Sequence, residues 1–221
     1  MNKLTVTDLD RLSAERRLRG AARPGALSDV VSRLPALKGR VLQWFRDALR
    51  DSNRKWFAAA LLSQKSDVVG PLLHDLLRAA MVEPDPSLCR SFVKPLAATS
   101  WEEVVSTMVE IADSGTAVER AGFGRALYWL KAELAEAPAD AIVILNSWAM
   151  REFVRTDDVV TQRCLISGLQ FEPEYLDETA RSIRDSAVNK ARASTDEYVR
   201  HRLAIQLGES SGPFMPLVTA D

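Results

Sequence analysis

The chain has 221 residues, of which 47% are hydrophobic and 27% charged, and its formal net charge is −1. That apolar content is enough for a well-buried core, while no run approaches the ~20 apolar residues that a membrane span needs. The N-terminus lacks the apolar block of a secretory signal, and acidic residues interrupt the arginine-rich stretch 11–23, which argues against an organelle presequence. We therefore expect a cytoplasmic protein without membrane contact.

Charge is distributed unevenly along the chain. Residues 1–55 carry 13 Lys/Arg and 6 Asp/Glu, a balance of +7, and the remainder has a balance of −8. Contact of this basic segment with nucleic acid or with an acidic partner is one interpretation. We favour the other, solvated helix faces in a protein with 22 arginines and 7 lysines.

The first quarter of the chain predicts three helices. The first covers about 7–21 and ends at the turn Pro24-Gly25, and a short second helix starts with Ser28 as its N-cap. The third covers about 40–50, where apolar residues recur at the spacing of an amphipathic helix. Ser52 is predicted to cap the helix that follows.

From residue 52 onward, one kind of helix recurs. It contains a large apolar residue followed four positions later by leucine, and the first members of these pairs are 35, 31, 42 and 38 residues apart. Such intervals are typical of one helix pair with its turns. The pairs are Phe57/Leu61, Phe92/Leu96, Phe123/Leu127, Leu165/Leu169 and Leu203/Leu207.

Partner helices are predicted between these copies, over 71–82, 101–112, 138–154 and 173–189. Three of them begin at prolines, which are favoured in a first turn because no partner exists there for the missing N–H. The other begins with Ser100 and Glu103 in the pattern of a capping box, and Ser194 with Glu197 predicts a second box before the last helix. Cys89 and Cys164 form no CxxC motif and are predicted to be reduced core thiols.

The segment VRHRLAIQLGE, residues 199–209, resembles the first helix of the HEAT-like helical-repeat family. Arg54, Arg120 and Arg200 each precede the large apolar position by three residues, and Pro95 resembles the proline that kinks such helices. The resemblance implies an all-α, right-handed α-solenoid of about four to five helix pairs over 52–209.

In that architecture, residues 1–51 form a basic helical extension packed on the first repeat, and 210–221 an irregular tail, within a single structural domain. An irregular all-α bundle with coincidental periodicity is the alternative to the solenoid. Only in the solenoid does each helix pair contact just its neighbours and leave an extended groove.

Motifs that would indicate catalysis are missing from the sequence. His74 and His201 lack metal-ligand spacing, Gly122-Phe123-Gly124 follows no strand, and Asp113-Ser114-Gly115 reads as a helix end. The acidic pairs 102/103 and 157/158 sit at helix starts, where the helix dipole favours negative charge. We predict no catalytic, cofactor-binding or metal residues and no cofactor, although an enzyme stays an open alternative.

Five tryptophans raise a DNA-processing alternative: Trp44, Trp56, Trp101, Trp129 and Trp148. One HEAT-like group comprises alkylpurine DNA glycosylases, which need a basic groove, a catalytic aspartate and aromatic residues facing the DNA. The acidic repeat body departs from that requirement, and the sequence shows no matching aspartate and tryptophan arrangement. Most of the tryptophans are therefore predicted to belong to the core.

We predict a non-catalytic protein-protein interaction module whose second helices line the binding face. Mixed charge on that face favours a protein partner over a phosphate backbone, which would demand clustered Lys/Arg. A cytosolic inhibitor or immunity-type protein that occludes a toxin or enzyme is one alternative, and a DNA-binding or glycosylase-like enzyme is the other. The predicted partner-binding residues are His74, Arg78, Glu103, Glu110, Arg151, Asp177, Arg181 and Arg184.

Overall fold

A computed structural model describes residues 3–19, 24–65, 69–134 and 137–209, with the backbone alone at 16–19 and 24–26. In these ranges the chain forms twelve α-helices and no strand, which confirms the all-α prediction. The helices are α1 (Val6–Arg19), α2 (Pro24–Ser32), α3 (Gly39–Arg50), α4 (Lys55–Leu62), α5 (Leu73–Val82), α6 (Pro86–Val93), α7 (Trp101–Ser114), α8 (Ala117–Glu133), α9 (Ala139–Arg155), α10 (Val159–Ile166), α11 (Glu178–Arg192) and α12 (Glu197–Gln206).

Local side-chain caps fix where several helices begin. The Ser100 hydroxyl accepts from the backbone N–H of Glu103 at the start of α7, as predicted. Thr116 and Glu119 form a complete capping box at the start of α8. The box predicted at Ser194 is wrong, because Asp196 caps α12 instead and accepts from the N–H of Val199.

Three other predicted helix boundaries are corrected by the structure. Helix α2 begins at Pro24, so the predicted Pro24-Gly25 turn and the Ser28 cap are both wrong. Ser52 does not cap α4, whose first turn instead follows Asp51, a carboxylate that accepts from the N–H of Arg54. Pro95 does not bend a continuous helix, since α6 ends at Val93 and a 3-10 turn follows over Lys94–Ala98. The predicted end of α1 near residue 21 and the tail 210–221 lie outside the described residues.

The helices from α3 onward are arranged in two rows. Helices α4, α6, α8, α10 and α12, here called the first row, each contact the next member of that series. Helices α3, α5, α7, α9 and α11, the second row, also contact one another in series. Contacts such as α5 with α6, α7 with α8 and α11 with α12 join the rows. The first member of each recurring apolar pair lies in a first-row helix, but Leu96, Leu169 and Leu207 follow the ends of α6, α10 and α12. The predicted partner helices belong to the second row, although α11 begins at Glu178 because Pro173 opens a separate 3-10 turn.

Glycines permit the close approach of α8 to its neighbours. A Cβ added at Gly122 would lie 1.6 Å from the Met81 carbonyl oxygen of α5, and one at Gly124 would lie 2.5 Å from the Leu165 Cα of α10. Gly168, just after α10, faces the Gly124 backbone in the same way, at 2.3 Å from its carbonyl oxygen. Because backbone meets backbone at these points, no side chain can be accommodated. Gly122, Gly124 and Gly168 therefore allow these helices to pack closely.

The N-terminal helices share one hydrophobic core with the rest of the chain. Buried apolar residues form a single cluster that extends from Leu4 to Leu203. Helix α1 contacts α3, and α2 contacts α4. The indole Nε1 of buried Trp44 donates to Asp10 of α1 at 2.7 Å, which adds a polar link between these helices. Trp44 is buried and the other four tryptophans pack half-buried against the cluster, as predicted.

Candidate partner-binding face

The eight residues predicted to bind a partner all lie on second-row helices or at their N-termini. The residues His74 and Arg78 belong to α5, and Glu103 and Glu110 to α7. Arg151 belongs to α9, Asp177 is the N-cap of α11, and Arg181 and Arg184 follow on α11. The second row thus brings them to one series of adjacent helices, although most of the basic members are already hydrogen-bonded within the chain.

Arg78 forms an ion pair with Glu119 of the first row. Its guanidinium Nε donates to the Glu119 carboxylate, which is 2% exposed. Burial works against ionisation of Glu119, but hydrogen bonds from Arg78 and from the backbone N–H of Thr116 outweigh it and lower the pKa of Glu119 to about 2. The hydrogen bond to Glu119 likewise raises the pKa of Arg78. This contact joins the rows, so Arg78 is held in place before any partner arrives.

The basic residues further along the second row are held in a similar way. Arg151 Nη1 lies 3.2 Å from the Asp177 carboxylate. Burial opposes ionisation of Asp177, but the backbone N–H of Ala180 and the charge of Arg151 outweigh it and lower the pKa of Asp177. The carboxylate of Asp177 also accepts from the N–H of Ala180, which caps α11. Arg181 and Arg184 donate from Nε to the carbonyl oxygens of Pro173 and Phe171. The positions of these side chains are therefore fixed by contacts within the fold.

Helix α7 presents the opposite picture. Glu102, Glu103, Glu110 and Asp113 are all exposed, and none has an ion-pair partner within the ranges that the structure describes. Glu103, Glu110 and Asp113 recur at a spacing of seven and three, which places them along one side of the helix. Sequence reasoning named two of the four and took Glu102 and Asp113 as helix-end residues. The 3.6-residue period that marks the apolar stripe of α7 would have found this acidic side as well.

A cavity of about 500 Å³ lies between α7, α9 and the start of α8. The indole Nε1 of Trp148 donates to Asp113 at 2.8 Å, and its ring stacks on buried Phe123 with centroids 4.3 Å apart. Three guanidinium groups, from Arg120, Arg151 and Arg155, line the same cavity, together with Glu152. Of the lining residues, only Arg151 was predicted as a binding residue.

Glu152 ties two of these arginines to the cavity wall. Its carboxylate lies 2.5 Å from Arg155 Nη2 and 3.8 Å from Arg120 Nε. Arg120 also reaches back to the Gly115 carbonyl oxygen, and Arg200 makes the equivalent bond to the Ser194 carbonyl. The recurring arginine therefore has a structural use in two copies, stabilising the turn before its helix.

A second cavity, of about 400 Å³, opens near the start of the second row. Asp75 of α5 is buried there. Its carboxylate lies 3.4 Å from Arg46 Nε and 2.8 Å from Arg50 Nη2, and both arginines belong to α3. Lys55 pairs with buried Glu83 at 2.6 Å and lies over the Trp56 ring. The charges that line this cavity are paired and hold α3, α4 and α5 together.

Several classes of site can be assessed directly from the described residues. No group of three or more His, Cys, Asp or Glu side chains in those ranges could hold a metal ion. Cys89 and Cys164 are free and buried, as predicted, and burial raises the pKa of the Cys89 thiol to about 12. Among the helices of the described ranges, none has both the length and the apolar character that crossing a bilayer requires.

Comparison with family models, with characterised proteins and with solved structures finds no match for this chain.

Proposed function

We propose that the two rows are a HEAT-like α-solenoid and that the protein is a non-catalytic binding module for another protein. The serial contacts within each row support this architecture over an irregular bundle, because each pair of helices meets chiefly the pairs next to it. In such a stack the second row lines one continuous face. The partner-binding residues predicted from the sequence all belong to it.

The observation that carries the proposal is the acidic side of α7, whose carboxylates have no ion-pair partner within the described ranges. Arg78 and Arg151, on the helices to either side, already have carboxylate partners inside the chain. Glu103, Glu110 and Asp113 have no cationic partner in the described ranges. A protein surface with a few lysines or arginines would supply the missing partners and gain specificity from them. An inhibitor or immunity-type protein that occludes a toxin or enzyme is a narrower form of the same proposal.

The test compares two single variants that remove the same charge. Glu110→Gln neutralises one carboxylate of α7, and Asp29→Asn neutralises one exposed carboxylate on α2, which lies outside both rows. Each protein is immobilised and exposed to native cell extract, and retained proteins are quantified by mass spectrometry. We expect one partner to be retained by the wild type and the control but lost with the α7 variant. Equal retention by all three would contradict the proposal.

A second candidate, a DNA-processing enzyme, is favoured by one observation. The cavity between α7 and α9 places Asp113 beside Trp148 with three arginines around them, the residue types that a glycosylase of the HEAT-like group requires. The acidic side of α7 on the same row disfavours a long phosphate backbone there. The residue types of a glycosylase site are therefore present around this cavity, but an extended basic groove for the DNA backbone is not formed by the described residues beside it.

Binding to duplex DNA separates the two candidates. A DNA enzyme should bind labelled duplex at low ionic strength, lose affinity steeply with salt, and release alkylated purines in a manner abolished by Asp113→Asn. For the binding module we expect no measurable affinity and no base release. Salt-dependent binding with Asp113-dependent release would transfer the assignment to the enzyme.

A further inference from the structure

A third cavity, of about 190 Å³, lies on the first row, away from the proposed partner-binding face. Residues on or beside four first-row helices in series line it. The lining residues are Pro86 and Ser87 at the start of α6, Arg125, Tyr128 and Trp129 of α8, Ser167 just after α10, and Tyr198 and Arg202 of α12. Neither the proposed function nor the sequence motifs account for it.

Within the part of the chain that the structure describes, two arginines in this cavity have no carboxylate partner. Arg125 donates to the Met81 carbonyl at 3.3 Å and contacts Cys164 Sγ at 3.2 Å, and Arg202 Nη2 donates to the Ser167 carbonyl at 3.4 Å. The Nε–H of each is buried without an acceptor. A buried N–H left without an acceptor costs about 1–3 kcal/mol, and more when the group is charged. An acidic group entering the cavity would therefore meet two half-buried guanidinium groups, and either side chain must shift before its shielded Nε–H can reach the ligand.

A third cation lies near Arg202. Lys131 of α8 is half-buried and donates to the Gly168 carbonyl at 2.8 Å. Burial lowers the pKa of Lys131 to about 8, and nearby Arg202 acts in the same direction against the opposing effect of Glu172. The local field is thus that of cations with too few anions beside them.

Aromatic rings shape the walls and are themselves covered by arginine. Arg202 lies over the Tyr128 ring with its Cζ 5.7 Å from the centroid, and Arg90 lies over Trp129 at 5.4 Å. The Trp129 indole Nε1 donates to the Pro86 carbonyl, which fixes the ring. A ring face that already carries an arginine is a poor platform for a nucleic-acid base, although Tyr128 remains 41% exposed overall. Both rings do offer edges against which a short aliphatic stem can pack.

Acidic residues on or at the start of the helices that build the cavity favour a single carboxylate over a phosphate chain as its ligand. Glu133 pairs with Arg90 at 2.5 Å, Asp196 lies 3.7 Å from Arg163, and Asp85 caps α6 directly before the lining residue Pro86. A phosphate backbone continuing in both directions would approach these carboxylates and be repelled. One acidic side chain would pass between them.

We infer that this first-row cavity is a binding site for the carboxylate of a glutamate or aspartate side chain on a partner protein, held by Arg125 and Arg202. The carboxylate would accept from the two guanidinium groups, and its methylene stem would lie against Tyr128 and Trp129. This site is independent of the second-row face, so either can be wrong without the other.

The probe is the peptide acetyl-Gly-Glu-Gly-amide, with acetyl-Gly-Gln-Gly-amide as its uncharged match. Titrations of the isotope-labelled full chain follow the Nε–H signals of Arg125 and Arg202 and the indole N–H of Trp129. We expect saturable shifts with the glutamate peptide at a dissociation constant on the order of 1 mM, the range for one carboxylate on two charge-assisted contacts. Sodium chloride at equal ionic strength should reproduce none of these shifts.

Variants then assign the contact to Arg202. Arg202→Gln should weaken binding by about tenfold or more, whereas Arg200→Gln, which removes the same charge from α12 outside the cavity, should leave it unchanged. Arg202→Lys keeps the charge and the apolar stem but loses the planar fork, so weaker binding at an unchanged melting temperature would show that the guanidinium itself binds.

Three results would overturn the inference. They are equal shifts with the glutamate and glutamine peptides, undiminished binding in Arg202→Gln, and tighter binding of inorganic phosphate than of the glutamate peptide. The last would assign the cavity to phosphate.

Discussion

Helices α7 and α8 follow each other in the chain and contact each other, yet they are used in opposite ways. In α8, eight residues from Glu119 to Leu130 are buried, and its one buried carboxylate is paired with Arg78. In α7, the apolar stripe is buried while four carboxylates are exposed and have no ion-pair partner in the described ranges. The difference separates residues that set the positions of the helices from residues that are free to meet a partner. Substitutions should therefore change stability in α8 and recognition in α7.

Gly122→Ala should have the largest effect on stability. Its Cβ would overlap the Met81 carbonyl, and since that atom belongs to the backbone of α5, relief requires the two helices to move apart. We expect a loss of about 3 kcal/mol or more in the free energy of unfolding, at the upper end for overpacked sites. Urea denaturation measures it. Gly70→Ala, where an added Cβ has nothing within 4 Å, is the control and should change the stability little.

Glu119→Gln should have the next largest effect on the free energy of unfolding. The substitution leaves the Arg78 guanidinium without its anion and weakens the Thr116 capping box, for an expected loss of about 2 kcal/mol at neutral pH. Because the folded-state pKa of Glu119 is depressed to about 2 from an ordinary value of 4.5, its contribution is complete above pH 4.5. The stability difference between wild type and variant should shrink as the pH falls from 4.5 towards 2. A difference that stays constant through this range would contradict the assigned pKa shift.

Ser100→Ala tests what determines the start of α7, the second helix of the comparison. The hydroxyl satisfies one backbone N–H at the start of α7, and its loss should cost about 1 kcal/mol. Thermal denaturation followed by circular dichroism is the measurement. Ser106→Ala, on the same exposed side of α7 and without a capping role, should cost clearly less; an equal loss would mean that the cap does not determine the start of α7.

Glu110→Gln should have the smallest effect on folding. The carboxylate is exposed and has no ion-pair partner in the described ranges, so the free energy of unfolding should change by less than about 0.5 kcal/mol. If α7 is the recognition helix, the same substitution should weaken binding of the native partner. A large loss of stability would show that Glu110 supports the fold and would remove the contrast between the two helices.

Local signals in the sequence were sufficient to predict most of the helix order. Ser100 with Glu103 marks the start of α7, and the spacing from Phe57 to Leu203 marks the five first-row helices. The pattern is ambiguous where two nearby residues can both act as an N-cap. Ser194 and Asp196 both have suitable side chains, and the structure shows Asp196 as the N-cap of α12. Such choices depend on the entry angle of the chain, which neighbouring helices set.

The candidate sites were harder to predict because their contacts join residues far apart in the chain. Arg78 and Glu119 are 41 positions apart, and Trp148 and Asp113 are 35 apart. Periodicity places each residue on a side of its own helix but does not give the rotation of one helix against the next. The first-row cavity needs four helices in register and has no sequence signature of its own.

The glycines of α8 have a consequence for the modularity of this chain. Gly122 is matched to Met81 on one side and Gly124 to Leu165 and Gly168 on the other, so each glycine belongs to one particular junction. Arrays built from near-identical units tolerate deletion or exchange of a unit because every junction is equivalent. Here, removing or transplanting the pair that contains α8 would leave these glycines beside the wrong neighbours. The units of this protein are parts of a fixed order rather than interchangeable copies.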